Sequence, residues 1–196
     1  MDKLIEQINK THPLSRESWI KLNPLIEIKN YSAKEKIVEI GNRTDHFYFL
    51  FYGIVRSYEI RNSKEYSCFI FHDNNYFAAF PALITKKKSF IAIECLTECR
   101  IVSCNYYDFI KLTENSLELN ILYRKILESF FISTEKREIE LISLLAIDRY
   151  LTLKKRIPKI DNLISQKQIA SHLGISSVQL SRLKKEQYLT KNNSPT

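Results

Sequence analysis

Residues 164–185 read ISQKQIASHLGISSVQLSRLKK, and this stretch has the pattern of two short helices joined by a tight turn. Ser165 stands three residues before Gln168, and Ser176 stands three residues before Gln179, so each serine is predicted to cap the start of a helix. Gly174 falls between the two segments, where a left-handed residue commonly ends a helix. The sequence therefore predicts a helix, a turn at Gly174 and a second helix.

The two predicted helices each have an apolar side and a polar side. The apolar positions are Ile169, Leu173, Ile175, Leu180 and Leu183, with the small Ala170 where crossing helices come closest. Because successive residues of an α-helix are about 100° apart, Val178, Arg182 and Lys185 point away from Leu180. The pattern predicts that one side packs inward and leaves the other side free.

The free side has the chemistry of a helix that enters a DNA major groove. Arg182 is expected to grip a guanine edge and Val178 to touch a thymine methyl group, while Gln166 and Lys167 are better placed for phosphate. The alternative is a structural pair of helices that never meets DNA. The predicted DNA-binding residues are Gln166, Lys167, Ser176, Ser177, Val178, Gln179, Ser181, Arg182 and Lys185.

The positive charge of the chain lies at the same end. The whole chain has 196 residues and a formal net charge of +8. From Arg149 to the end there are ten Lys and Arg side chains and two acidic ones, whereas the first 148 residues hold 20 of each sign. A charge confined to one end is typical of a nucleic-acid-binding unit joined to a neutral partner. A solvated basic tail is the other interpretation.

Upstream of this end, the chain changes from helical to strand-like patterns. Residues 1–23 predict short helices, with Ser15 as a cap and Pro24 as a stop. From about residue 25 to residue 109, runs such as HFYFLFY and IVRSYEI alternate with turn-like segments, which predicts short strands of a sandwich or roll. Gly41 and Gly53 fall between such runs and predict tight turns.

A single long helix is predicted between the strands and the basic end. From about Leu117 the apolar period becomes about 3.6 residues, with Leu119, Leu122 and Ile126 on one stripe. The apolar band is wide enough to predict packing against a second copy of the chain, although burial within one subunit is the alternative. The polar STEKRE is expected to interrupt this helix, with a hinge near residues 143–146.

These features together resemble the Crp/Fnr family of transcription regulators. The resemblance is carried by Ala170, Gly174, Leu180 and Leu183 in the helical pair, and by HFYFLFYGIVRSYEI, which looks like the strand-turn-strand segment of the family's β-roll. The long helix resembles the family's dimerisation helix. The resemblance implies a homodimer that binds double-stranded DNA. An enzyme is not expected, because the sequence has no glycine-rich phosphate loop, no nucleophile elbow, no paired carboxylates at useful spacing and no metal-ligand cluster.

The effector loop of the family departs from its usual form here. Members that bind cyclic nucleotides use a loop with Gly and Glu followed by Arg and Ser, but Ala78 and Ala79 stand where Gly and Glu are expected, and Lys88 and Ser89 where Arg and Ser are expected. A phosphate cradle without glycine disfavours cyclic nucleotide binding. Another small-molecule effector, not identified by the sequence, could still bind at this loop. The candidate ligand-binding residues are Ala78, Ala79, Phe80, Lys88 and Ser89.

Other classes of site find little support. Three of the four cysteines, Cys95, Cys99 and Cys104, are spaced too widely for a CxxC metal motif and are predicted to be free core thiols, and the four histidines are scattered. No metal site and no cofactor is predicted. Without an apolar run of roughly 18 residues, we expect a cytoplasmic protein with no membrane partner.

The predicted fold class is α+β. An antiparallel, jelly-roll-like β-roll with flanking helices over residues 1–116 is expected to act as a sensor, followed by a dimerisation helix over 117–143 and a helix-turn-helix domain over 144–196. The predicted function is sequence-specific DNA binding at a near-palindromic site. The alternative is a ligand-sensing or protein-interaction module with a non-specific basic tail.

Overall fold

The computed structural model describes residues 2–192, and it describes side chains for residues 4–187. Nine α-helices and eight β-strands are present in this part of the chain. The helices are α1 (Asp2–Thr11), α2 (Arg16–Leu22), α3 (Phe80–Thr85), α4 (Tyr106–Glu114), α5 (Leu117–Ser143), α6 (Ala146–Arg156), α7 (Ile160–Leu163), α8 (Gln166–Leu173) and α9 (Ser177–Asn192). The strands are β1 (Ile26–Tyr31), β2 (Lys36–Val38), β3 (His46–Tyr52), β4 (Val55–Arg61), β5 (Lys64–Phe71), β6 (Asn75–Phe77), β7 (Ala92–Cys95) and β8 (Cys99–Asn105).

The strands form two four-stranded antiparallel sheets that face each other. One sheet has the order β1-β8-β3-β6, and the other has the order β2-β7-β4-β5. The predicted α+β class with an antiparallel roll is confirmed. Gly53 turns the chain between β3 and β4 with a φ of 111°, and a Cβ there would lie 2.6 Å from the carbonyl oxygen of Glu98. This turn therefore requires glycine.

Alternating side chains of the strands divide the roll into layers. In β3, Phe47 and Phe49 pack against the helices outside the sheet, while Tyr48 and Leu50 pack between the sheets. Successive side chains of a strand point to opposite faces, so a strand covered on both sides is apolar throughout. This is why HFYFLFY shows a continuous apolar run rather than an alternation.

Aromatic rings fill the interior of the roll. Phe77 stacks on Tyr48 with ring centroids 5.1 Å apart and on Phe71 with centroids 5.3 Å apart. Phe69 continues the stack from Phe71 and reaches Phe130 of α5. Such ring pairs contribute about 0.5–1.5 kcal/mol each beyond the burial of their area. The aromatic residues of the strands are therefore mainly core.

Helix α5 runs along the roll and continues beyond it. Leu119, Leu122 and Ile126 are buried in a cluster with α1, α2 and α4. The expectation that STEKRE interrupts the helix is wrong, since α5 continues through residues 133–138 to Ser143. Its polar stretch stays helical because Arg137 is buried by tertiary contacts. The break falls at residues 144–145, within the predicted hinge.

The helices after the break form a separate core that packs on the outer face of the second sheet. Tyr150, Leu153, Ile160, Ile169 and Leu180 are all buried there. Ile54 and Ile70 of the roll belong to the same cluster, so the two units share a boundary. Within residues 2–192, no helix has the length and apolar character that crossing a membrane requires.

Candidate nucleic-acid interface

Helix α8 begins and ends as its sequence predicts. The backbone N–H of Gln168 donates to Ser165 Oγ (3.3 Å), and the backbone N–H of Ser165 donates to Gln168 Oε1 (2.9 Å). At the other end, Gly174 adopts a left-handed conformation with a φ of 71°, and its N–H bonds to the carbonyls of Ala170 and Ser171. Both ends of α8 are therefore fixed by local hydrogen bonds.

A second capping box starts helix α9. The backbone N–H of Ser176 donates to Gln179 Oε1 (2.8 Å), and the backbone N–H of Gln179 donates to Ser176 Oγ (3.2 Å). The predicted pair of helices joined at Gly174 is confirmed in this respect. Because the side chains of Ser176 and Gln179 are engaged with the backbone, their first role is to fix the start of α9.

The apolar sides of α8 and α9 face the core. Ile169, Ala170, Leu173 and Leu180 are each no more than 1% exposed. Ile175 packs against the same cluster and is half-buried. The helices therefore cross with the small Ala170 inside the contact, as the sequence predicts.

The opposite side of α9 is open. Val178 is 61% exposed, and the side chains of Ser177, Ser181, Arg182 and Lys185 are exposed as well. No carboxylate in the described part of the chain lies within ion-pair distance of Arg182 or Lys185. These residues follow the capped N-terminus of α9 and lie on one side of the helix. We call this side the outer face of α9; apart from Val178 its side chains are polar or basic.

Gln166 and Lys167 both lie in the first turn of α8, but among the described side chains only Gln166 is bonded to another helix. Lys167 is exposed and makes no ion pair within residues 4–187. The Oε1 atom of Gln166 accepts a hydrogen bond from Lys184 Nζ (2.9 Å). The amide of Gln166 thus joins α8 to α9, whereas Lys167 is free to meet an anion at the helix N-terminus.

An ionic cluster for which the sequence holds no local signal joins the helices of this unit. Asp161 accepts hydrogen bonds from Tyr150 Oη (2.6 Å) and from Lys184, and Lys154 lies 3.4 Å away. Burial acts to raise the pKa of Asp161, but the hydrogen bonds from Lys184 and Tyr150 hold it below the ordinary value. Lys184 is therefore structural, which leaves Arg182 and Lys185 as the basic groups of the outer face.

The helical pair is also tied to the roll through strand β5. The backbone N–H of Ser67 donates to Ser171 Oγ (2.9 Å), and that hydroxyl donates to the carbonyl of Glu65 (3.3 Å). Arg137 of α5 donates through Nε to the carbonyl of Cys68 (3.1 Å) and through Nη2 to the carbonyl of His172. No sequence pattern signals these contacts, since they join segments far apart in the chain.

The residues of the predicted effector loop lie in and around α3. Ala78, Ala79 and Phe80 are at most 5% exposed and belong to the two cores of the roll. Ser89 is buried, and its hydroxyl donates to the carbonyl of Ile91 (2.7 Å), whereas Lys88 is exposed. The loop is therefore occupied by packing and by its own hydrogen bonds.

Arg56, one of the residues in the roll segment that resembles the Crp/Fnr family, is satisfied within the roll. Its guanidinium donates to Glu94 (2.8 Å) and to Glu65 (2.7 Å), and it lies 4.1 Å from the ring centre of Tyr58. The side chain is 5% exposed. A buried arginine with two carboxylate partners joins β4 to its neighbours β5 and β7.

The cysteines are free thiols in this structure, and Cys95, Cys99 and Cys104 are buried core residues as predicted. Burial raises the pKa of Cys104 to about 12. The thiol of Cys99 donates to the carbonyls of Ile54 (3.4 Å) and Thr97 (3.3 Å). Among the described residues, no three His, Cys, Asp or Glu side chains are grouped to hold a metal ion.

Comparison with known proteins gives the same fold. No family model and no curated protein matches this sequence. Among solved structures, FixK2 from Bradyrhizobium japonicum has a TM-score of 0.71 at 15% identity, over 85% of this chain and 86% of its own. The global regulator CLP of Xanthomonas campestris has a TM-score of 0.69 at 14% identity, over 90% and 93%.

A transcriptional regulator of the CRP family from Thermus thermophilus gives a TM-score of 0.65 at 15% identity, over 86% of this chain and 88% of its own. These three matches cover between 85% and 90% of this chain. The chain therefore has the fold of the Crp/Fnr-type regulators.

Proposed function

We propose that this chain is a homodimeric transcription regulator of the Crp/Fnr type, which binds a near-palindromic DNA site through the outer face of α9. The observation that carries the proposal is the exposure of Ser177, Val178, Ser181 and Arg182 on one face of a helix whose start is fixed by a capping box. A helix of this kind presents its first turns to base edges in a major groove.

The charge of the C-terminal unit supports the same function. Ten of its side chains from Arg149 onward are basic and two are acidic, and Asp161 is neutralised by Lys184 and Lys154. Binding to DNA gains much of its affinity from neutralising phosphates. CLP and the Thermus protein, which share this fold, are themselves named as regulators.

The exposed side of α5 supports a dimer. Phe131, Ile132, Ile139 and Ile142 are between 48% and 79% exposed, and at about 100° per residue they lie within one third of the helix circumference. Glu135 lies between them on the same face. A second copy of α5 running parallel would cover this apolar stripe, and would set two outer faces of α9 about one turn of DNA apart.

The direct test is selection of bound duplexes from a random DNA pool by the purified chain near physiological salt. We expect enrichment of an inverted repeat with half-sites about ten base pairs apart. A salt-dependent but sequence-independent affinity would instead favour the alternative function, a sensing or interaction module with a non-specific basic tail.

Two variants separate specificity from general attraction. Arg182→Ala is expected to lose about 1–3 kcal/mol on the selected site and to relax the preference at one base pair. Lys167→Ala is expected to weaken selected and scrambled duplexes by the same factor, because a phosphate contact carries no sequence information. Lys36→Ala, in an exposed part of the roll, is the control. Equal losses of both variants on both duplexes would contradict these roles.

A further inference from the structure

A cavity of about 430 Å³ lies where the roll, α5 and the C-terminal unit meet. Its walls come from β5 and β6, from residues 129–137 of α5, and from α6 and α8. This volume is within the range of small-molecule sites. The residues of the predicted effector loop, 78–80 and 88–89, do not line it, so it is a separate place in the fold.

The walls of this cavity are positively charged. Lys136, Arg137 and Arg156 line it, and none of its lining residues is acidic. Arg156 is paired with Glu140 just outside. Arg137 and Lys136 have no carboxylate within ion-pair distance in the described part of the chain. Two unneutralised cations therefore border one cavity.

Arg137 is the more telling of the two cations because it is only 8% exposed. A buried charge ordinarily has a counter-ion, but the guanidinium of Arg137 donates only to the backbone carbonyls of Cys68 and His172. Its Nη1 atom makes no hydrogen bond within residues 4–187. The fork of a guanidinium matches a carboxylate, phosphate or sulfonate, so an anionic group would complete its bonding.

His172 also lines the cavity, but its Nδ1 atom offers no accessible surface to a ligand. The side chain is 5% exposed, and Nδ1 has no hydrogen-bond partner among the described residues. Buried polar atoms in folded proteins are nearly always paired. Nδ1 of His172 is an exception, but it has almost no accessible surface and cannot contact a ligand in the cavity, so the charged groups left to meet a ligand are the cations of Arg137 and Lys136.

Part of the remaining wall is aromatic. Phe69, Phe71, Phe130 and Tyr76 line the side toward the roll. Flat rings accept another ring by offset or edge contact. From the cations on one side and the rings on the other, we propose that this cavity binds a small aromatic anion, held by Arg137 and Lys136 at its charged end. The proposal does not depend on DNA binding.

The probe for this site is 8-anilinonaphthalene-1-sulfonate, a fluorescent aromatic anion, compared with N-phenyl-1-naphthylamine, which lacks the sulfonate. We expect saturable binding of the sulfonate at one site per chain, with a blue-shifted emission. Lys136→Met should weaken the sulfonate by about tenfold and change the affinity of the neutral amine less than about twofold.

Two further variants make the result decisive. Lys125→Met removes a lysine from the same helix outside the cavity and should leave both affinities unchanged. Ser133→Phe fills the cavity from an exposed position of α5 and should abolish binding of the sulfonate. The proposal is overturned if the sulfonate does not saturate, if Lys136→Met and Lys125→Met weaken it equally, or if Ser133→Phe binds it as the unaltered chain does.

Discussion

Replacing Arg137 by methionine tests how firmly the C-terminal unit is attached to the roll. The Nε of Arg137 donates to the carbonyl of Cys68 in β5 (3.1 Å), and its Nη2 donates to the carbonyl of His172 in α8. His172 lies in the last turn of α8, where carbonyls have no partner within the helix. The guanidinium therefore caps α8 and joins it to β5 at the same time.

The expected loss follows from these two bonds. A hydrogen bond from a charged donor contributes about 1.5–3 kcal/mol, and Met leaves both carbonyls unsatisfied in a region where Arg137 was 8% exposed. The variant also removes a buried cation that has no counter-ion, and burying such a cation is costly. The same burial lowers the pKa of Arg137 to about 10. We expect a net loss of about 2–4 kcal/mol in the free energy of unfolding.

The assay is urea unfolding followed by far-UV circular dichroism, with amide hydrogen exchange over residues 166–173. Arg137→Met should accelerate exchange in α8, and Arg137→Lys should fall between it and the unaltered chain, because one ammonium does not reproduce the guanidinium fork. Lys136→Met removes the neighbouring charge without these bonds and is the control. Stabilities of Arg137→Met and Lys136→Met within about 0.5 kcal/mol of each other, with unchanged exchange in α8, would refute the reasoning.

Two further outcomes are expected from the same unit. Ser176→Ala removes the cap of α9 and should lower the free energy of unfolding by about 0.5–2 kcal/mol, whereas Ser181→Ala on the exposed face should stay within about 0.5 kcal/mol; similar losses for both would contradict the capping role. Burial, with two nearby guanidiniums, holds the pKa of His172 well below its usual value. Because the unfolded chain then takes up the proton first, stability should fall as pH drops below about 6.5, by up to about 1.4 kcal/mol per pH unit. In urea titrations at successive pH values, the free energy of unfolding of His172→Gln should vary less with pH than that of the unaltered chain. Burial also lowers the pKa of His72, so both proteins should keep a smaller loss of stability at low pH.

Local signals were sufficient for much of the fold. The two capping boxes and Gly174 act over three or four residues, so the sequence alone predicted α8, the turn and the start of α9. The sequence analysis did not predict helix α4, because the strand pattern continues to about residue 109; Asn105 accepts hydrogen bonds from the N–H groups of Tyr107 and Asp108 at the start of this helix. An Asn followed by an acidic residue three positions later was the available signal.

Contacts between distant segments could not be predicted in this way. STEKRE looks like a break because it is polar, but its Arg137 is drawn inward by two carbonyls, one 69 residues and one 35 residues away in sequence. Tertiary contacts override a local polar pattern in such a case. The outer face of α9 was identified from helical geometry. The different roles of Lys184 and Lys185 could not be, because Lys184 bonds to Asp161, which is 23 residues away from it in the sequence.

Strand β5 shows how the interior of the roll can be connected to the helix proposed to read DNA. Its side chains alternate, so Phe69 and Phe71 face the rings of the roll, while Ile70 faces the core of the C-terminal unit. The carbonyls of Glu65 and Cys68 bond to Ser171 and Arg137. A displacement of this edge strand therefore acts directly on α8, and through Leu180 on α9. An effector need not enter the packed loop at residues 78–89, since a ligand in the cavity bordered by Lys136 and Arg137 would contact β5, α5 and α8 together.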